Sequence, residues 1–331
     1  MGYAKEKEIV EKKVGKAKRI VFFIVLALIL AVVIVSLIIP ANTWKYKVGM
    51  PKIKARETGE MRLHFIDVGQ GDATLVELPD GKILLVDGGN GSEEANKAIL
   101  RYLNALKIER IDYAVITHAD VDHFGGFPEI FEYKEVGFAY LPKVDATYSD
   151  AYAKFHKALV EEKCETSFSS RSLSIAGEGY FVRFLFPYTA DVQSEGNVGG
   201  ENDGSAVLWI EYQGVSTLLM GDAPKSVEEK LINDNALDFL QVYGVDLQST
   251  EILKVAHHGS DGSTGKAFLE YIQAETAVIS CGKGNPYGHP TSVTLENLSS
   301  AGVTTYRTDV SGSVFVTVKA DGTYEFTTLG K

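Results

Sequence analysis

Apolar side chains fall into two regimes along this chain, and each predicts its own kind of element. The stretch 20–39 reads IVFFIVLALILAVVIVSLII, twenty residues with no charge and with Ser36 as the one polar side chain. At about 1.5 Å per residue a helix of that length spans roughly 30 Å, the thickness of a bilayer core. After residue 60 the apolar runs are short. RLHFIDV (62–68), ATLVEL (73–78) and KILLVD (82–87) are rich in β-branched residues and separated by Gly-containing turns, which predicts antiparallel strands. Ser92, Glu93 and Glu94 then precede the periodic ANKAILRYLNAL, so the serine reads as a helix cap and the acids as first-turn charges. A strand at DYAVIT, a short helix at 127–131, a strand at GFAYLP and a helix over 149–163 follow. The second half has a similar order: strands YFVRFLF, AVLWIEY and STLLMG, then a helix with Pro224 at its first position, where a missing donor costs nothing. Strands EILKVA and TAVIS, a helix over 292–300 and closing strands SVFVTV and TYEFTT complete the pattern.

Hairpins first, then strands alternating with helices, predict two sheets packed together with helices outside. This is an α/β (α+β) domain expected over 61–331. Residues 40–60, which hold Pro40 and Pro51 and no sustained periodicity, read as a linker. Charge sharpens the picture at the other end. Residues 1–19 carry seven bases and three acids, leaving 26 bases against 41 acids, a net of −15, in 41–331. A basic flank before an apolar run places the flank in the cytoplasm and the rest of the chain outside it. The exit IIPANTW offers Ile39 where a signal-peptide cleavage site needs a small residue, so the run reads as a retained anchor of a single-pass membrane protein. The acidic remainder argues against gripping long nucleic acid by summed charge. Two cysteines, Cys164 and Cys281, are too few for a disulfide framework and read as separate thiols.

Five of the seven histidines stand in irregular segments just after apolar strands, where sheet folds assemble sites. His118 and His123 follow YAVIT, His257 and His258 follow EILKVA, and His289 follows TAVIS; Asp87 and Asp222 end their strands in the same way. His64 and His156 read as packing or solvent residues. The segment THADVDHFGG (117–126) presents His118, Asp120, Asp122 and His123 within six residues. On a tight loop the pairs His118/Asp120 and Asp122/His123 suit two adjacent cations, Zn²⁺ or Mn²⁺. Asp222 is placed to bridge them and His257 to close the second site. Such a centre activates water for hydrolysis of a phosphodiester or an acyl bond.

Together FIDVGQGDATLVELPDGKILLVDGG, THADVDHFGG, ENDGSAVL, LLMGD, VAHHGS and YGHP resemble, in this order, the metallo-β-lactamase-fold domain of the ComEC competence-protein family. The resemblance covers nearly all of 61–331. It implies an αββα sandwich and a metal-dependent hydrolase, with DNA degradation during uptake as the family's proposed role. It carries the metal motifs onto His118, Asp120, Asp122, His123 and Asp222, and the late histidine onto His257. His258 and His289 match positions that either close the metal site or contact phosphate, and with Asp122 they are the catalytic candidates. The wider superfamily has a second histidine where Asp120 stands, and another where this chain offers Asn202 and Asp203. Full ComEC proteins carry a many-helix channel, so the single span here does not favour DNA translocation. The leading expectation is a membrane-anchored extracytoplasmic phosphodiesterase or nuclease, with no protein partner implied. A hydrolase of a small or wall-linked phosphoester, and a metal-stabilised binding protein without catalysis, stand as alternatives.

Overall fold

A computed structural model describes residues 2–38, 41–193, 198 and 200–330. They divide into two units, Met1–Gly49 and Met50–Lys331. In the first, one helix, Gly2–Ile38, carries both the basic stretch and the apolar run, and a 3₁₀ turn follows at Ala41–Tyr46. Its segment Lys12–Leu37 is unburied and is long and apolar enough to cross a membrane.

In the second unit the first three apolar runs form an antiparallel meander, β1 (Met61–Phe65), β2 (Thr74–Glu77) and β3 (Ile83–Val86). The helices Glu93–Ala105 and Asp150–Glu162 lie among the crossovers that add β4 (Arg110–Val115), β5 (Glu135–Leu141) and β6 (Glu165–Phe168) in parallel. Both helices start as the sequence suggests. Ser92 accepts from Ala95 N and Ser149 from Tyr152 N, satisfying amides that a helix start leaves unpaired. The second sheet repeats the scheme with β7 (Ser174–Gly177), β8 (Tyr180–Phe186), β9 (Val207–Tyr212) and β10 (Val215–Leu219) antiparallel. Then β11 (Ile252–Lys254), β12 (Thr276–Ile279) and β13 (Thr304–Arg307) run parallel. The chain finally returns to the first sheet through β14 (Val314–Val318), which pairs with β1, and β15 (Tyr324–Thr328).

Side-chain alternation explains the layers. On β9, Leu208 and Ile210 point between the sheets, where they meet Leu63, Phe65, Val76 and Val86. Val207 and Trp209 point outward and are covered with Val227 and Leu231 of the helix Lys225–Asp234 and Phe268 of Lys266–Ile272. With both faces buried, the strand reads as a continuous apolar run. On the outside of the first sheet, Ile99, Leu100 and Leu103 of the helix Glu93–Ala105 are buried. The result is the expected αββα sandwich.

Three details differ from the expectations. The folded unit starts at Met50 instead of 61, because the preceding segment is tied down: Lys54 O accepts from Arg62 Nη1 at 2.7 Å and Gly59 O from the Tyr212 hydroxyl at 2.5 Å. Pro224 is the cap of its helix, one position before the first helical residue. Strands β6, β7 and β13 were not foreseen, nor was the π-helical stretch Asn235–Tyr243. Cys164 and Cys281 are separate free thiols. His64 is fully buried between the Tyr102 hydroxyl and Glu77 Oε1, 2.9 Å from each, and His156 is half-buried on its helix.

Candidate metal centre

Loops at the ends of β3, β4, β10, β11 and β12, with the β1–β2 loop, bring the chemistry-bearing residues together. Gln70, Asp120, Asp122, Asp222, His257, His258, Tyr287 and His289 line a cavity of about 100 Å³, and His118 and His123 are buried beside it. Two glycines permit the close approach of these loops. Gly71, at φ +131°, lies where a Cβ would stand 2.5 Å from the carbonyl oxygen of Asp122, and Gly259 where one would stand 2.5 Å from Pro290.

Asp222 is the hub. Its Oδ1 is 3.3 Å from His123 Nε2, and its Oδ2 is 4.0 Å from His118 Nε2, 3.7 Å from His257 Nε2 and 3.7 Å from His258 Nε2. Asp120, half exposed, stands 3.5 Å from His118, and Asp122 stands 3.1 Å from His258. Four compact sets of donors result among the described residues, His118/His123/Asp222, Asp122/His123/His258, Asp72/Asp222/His258 and Asp72/Asp87/His123, each with its ligand atoms within 4.8 Å of one another. His118 Nε2, His123 Nε2 and Asp222 Oδ1 are buried without a hydrogen-bond partner. Native proteins rarely leave such atoms orphaned, and imidazole nitrogens facing a carboxylate are the donor set of Zn²⁺ or Mn²⁺.

Further residues set the orientation of these ligands. Asp87 Oδ2 accepts from His123 Nδ1 at 2.7 Å, which leaves Nε2 as the free nitrogen facing the cavity. Asp87 also accepts from Thr117 N and Thr117 Oγ1, both at 2.8 Å. His258 Nδ1 donates to Ser280 O at 2.9 Å, with the same consequence for its Nε2. Burial opposes charge on His123, but the carboxylates of Asp222 and Asp87 hold its pKa well above the ordinary value. Burial likewise opposes charge on Asp222, which His123 and His258 nevertheless keep well below the usual carboxylate range.

Both adjacent histidines reach Asp222 Oδ2, each with its Nε2 at 3.7 Å, but they face different neighbours. His258, not His257, faces Asp122 and His123. The backbone decides this: His257 (φ 49°, ψ 47°) and His258 (φ 53°, ψ 18°) are both left-handed, a conformation that costs non-glycine residues energy and clusters at functional sites. His257 instead meets Asn202, whose Nδ2 lies 3.3 Å from its Nδ1, while Asp203 is exposed on the same 3₁₀ turn. His289 sits at the rim, its ring 5.4 Å from that of His257. Two residues were missed. Asp72 is buried beside His258, 3.6 Å away, and receives a 2.6 Å bond from the buried Lys254. A charged residue between GQG and an apolar strand was the available signal for it, as was a lysine inside EILKVA for Lys254.

Residues 66–283 match the family model described as the metallo-beta-lactamase superfamily. Among curated proteins, ComE operon protein 3 of Bacillus subtilis is 30% identical over 272 residues, 78% of this chain and 33% of that protein. Competence protein ComA of Neisseria gonorrhoeae is 30% identical over 249 residues, 75% of this chain and 31% of that protein. Recombination protein 2 of Haemophilus influenzae is 28% identical over 254 residues, 76% and 28% respectively. The chain thus spans about a third of the length of these relatives. Among solved structures, the metallo-beta-lactamase fold protein YhfI of Bacillus subtilis aligns at a TM-score of 0.49 with 12% identity, covering 81% of this chain and 100% of that one.

Proposed function

The chain belongs to the metallo-beta-lactamase superfamily, and on that premise we propose that it is a membrane-anchored, metal-dependent phosphodiesterase whose folded domain lies outside the cytoplasm. The observation that carries the reading is the set of buried, unpartnered ligand atoms His118 Nε2, His123 Nε2 and Asp222 Oδ1 facing one another at the sheet ends. His118, Asp120 and Asp222 are suited to hold one divalent cation, and Asp122, His123, His258 and Asp222 a second. The chemistry supplied by zinc or manganese held there is polarisation of a phosphoryl oxygen and acidification of water. The remaining residues handle protons and orientation. With the Asn202 amide donating to its Nδ1, His257 carries its proton on Nε2, which faces the cavity. His289, whose Nδ1 is buried without a partner, is the second proton-handling group. The names competence protein and recombination protein, borne by relatives, favour DNA phosphodiesters over acyl substrates.

A small phosphodiester is the second reading, favoured by a specific observation: among the described residues no Lys or Arg lines the cavity. Turnover separates these readings. Protein loaded with Mn²⁺ or Zn²⁺ is expected to cleave bis-p-nitrophenyl phosphate, and the absence of turnover with either metal overturns the assignment. Single-stranded DNA as competing substrate then tells polymer from small diester. For the topology, protease added to intact spheroplasts should digest the domain; protection until lysis would refute it.

A further inference from the structure

Among the described residues the cavity lining includes no Lys or Arg, so beyond the phosphate, which bound cations would hold, the grip on a substrate must come from uncharged side chains. Besides the imidazoles, the described lining supplies one phenol ring. Tyr287 is 66% exposed, lies beside His289 with ring centroids 5.9 Å apart and planes 28° apart, and engages its hydroxyl in no hydrogen bond among the described residues. Isolated exposed aromatics are ordinary on protein surfaces. This one differs in being held. Asn285 Nδ2 donates to Gly282 O at 2.9 Å and to His289 O at 2.5 Å, while Asn285 Oδ1 accepts from Tyr287 N and from His289 N, both at 3.1 Å. One side chain therefore pins the loop that presents the ring and the proton-handling His289 together. Across the cavity, Gln70 Oε1 accepts from Gly282 N at 3.2 Å, which ties the β1–β2 loop to the same turn.

We infer that Tyr287 is the floor of a nucleobase subsite, on which the base next to the scissile phosphate stacks. The inference rests on the phosphodiesterase reading and deepens it by naming the substrate class as a nucleotide in unpaired form. Stacking fits an acidic surface because every base has a π-face and no basic groove is required. It is also an interaction that single-strand binders use without sequence preference. A ring presented on a pinned loop loses little freedom when it is covered, which favours stacking over a flexible contact.

The test has a binding arm and a cleavage arm, both on the full-length chain in detergent, loaded with Mn²⁺ or Zn²⁺. Calorimetry with thymidine 5′-monophosphate and with 2-deoxyribose 5-phosphate isolates the base. Wild type should bind the nucleotide on the order of 5- to 100-fold more tightly, Tyr287→Phe should keep the preference, and Tyr287→Ala should erase it while leaving sugar phosphate binding within about twofold. In the cleavage arm, an oligothymidylate with one abasic residue should be spared at the phosphate beside the gap by wild type and cut evenly by the alanine variant. Equal affinity of wild type for the two ligands, or equal weakening of both by Tyr287→Ala, overturns the subsite. Base-dependent binding without any cleavage would instead sink the phosphodiesterase reading and leave the subsite standing.

Discussion

Asp87→Asn tests whether the centre depends on a residue that touches no substrate. Asp87 sits at φ +61°, which asparagine tolerates and alanine resists, so the amide is the clean replacement. The carboxylate receives three hydrogen bonds, from Thr117 N, Thr117 Oγ1 and His123 Nδ1, at 2.8, 2.8 and 2.7 Å. In the variant, the amide oxygen can still serve Thr117 N, but an NH₂ group then faces His123. It donates where the imidazole previously donated, so the ring proton moves to Nε2, the nitrogen aimed at Asp222. Loss of such an orienting partner lowers metal affinity about 10- to 100-fold, roughly 1.4–2.8 kcal/mol. Apo protein titrated with Mn²⁺ or Zn²⁺ against a chelating dye measures the affinity, and circular dichroism confirms the fold. A dissociation constant within about threefold of wild type, in a folded variant, would refute the tautomer argument.

Asp222→Ala removes the carboxylate shared by both proposed cation sites, so activity should vanish and bound metal fall, with the fold largely kept; full metal content and wild-type turnover contradict the assignment. Gly71→Ala places a methyl group against the Asp122 carbonyl at a backbone angle that L-residues avoid, and should lower metal occupancy as read by elemental analysis; unchanged occupancy and melting temperature would show that the two loops do not need their close approach. Burial and the Asp309 carboxylate push the Cys281 thiol up to about 12, so at pH 8 it stays protonated and should resist alkylation until the protein is unfolded; mass spectrometry showing rapid native labelling of Cys281 counts against its placement. Deleting residues 1–38 should release the domain from the membrane fraction, and its continued sedimentation with membranes would point to a second anchor.

Much of this was legible because the decisive signals are local. The strands buried on both faces announce themselves as apolar runs, and Ser92 and Ser149 cap helices by rules that need no tertiary context. The strands that escaped notice, ETSF, SIAG and TTYR, are short and hold a single fully buried residue between them, and all three end their sheets, where one face and one edge can remain polar. Six of the eight candidate residues line one cavity, and His118 and His123 are buried beside it. What sequence could not decide was orientation. Which of His257 and His258 faces Asp122 depends on two successive left-handed residues, and whether Asn202 or Asp203 meets His257 depends on the turn of one 3₁₀ segment. Asp72 and Lys254 escaped because a buried ion pair separated by 182 positions leaves no periodic trace.

The pairing of β1 with β14 sets a timetable for the ribosome. Met61 and its partner Val318 are 257 positions apart, so β1 is made long before β14. At roughly 5–20 residues per second, synthesis of the intervening chain takes on the order of 10–50 s. During that interval β1 has a neighbour on one side only, and its other edge, with buried Leu63 and Phe65 on the strand, stands open to any passing strand. The two proposed cation sites are tied to the same clock, since His118 and His123 wait for Asp222 and His258 to emerge. Nascent chains therefore meet the hazard of edge-to-edge aggregation before they can gain stability from metal, which makes the arrival of the closing hairpin the step where yield is decided.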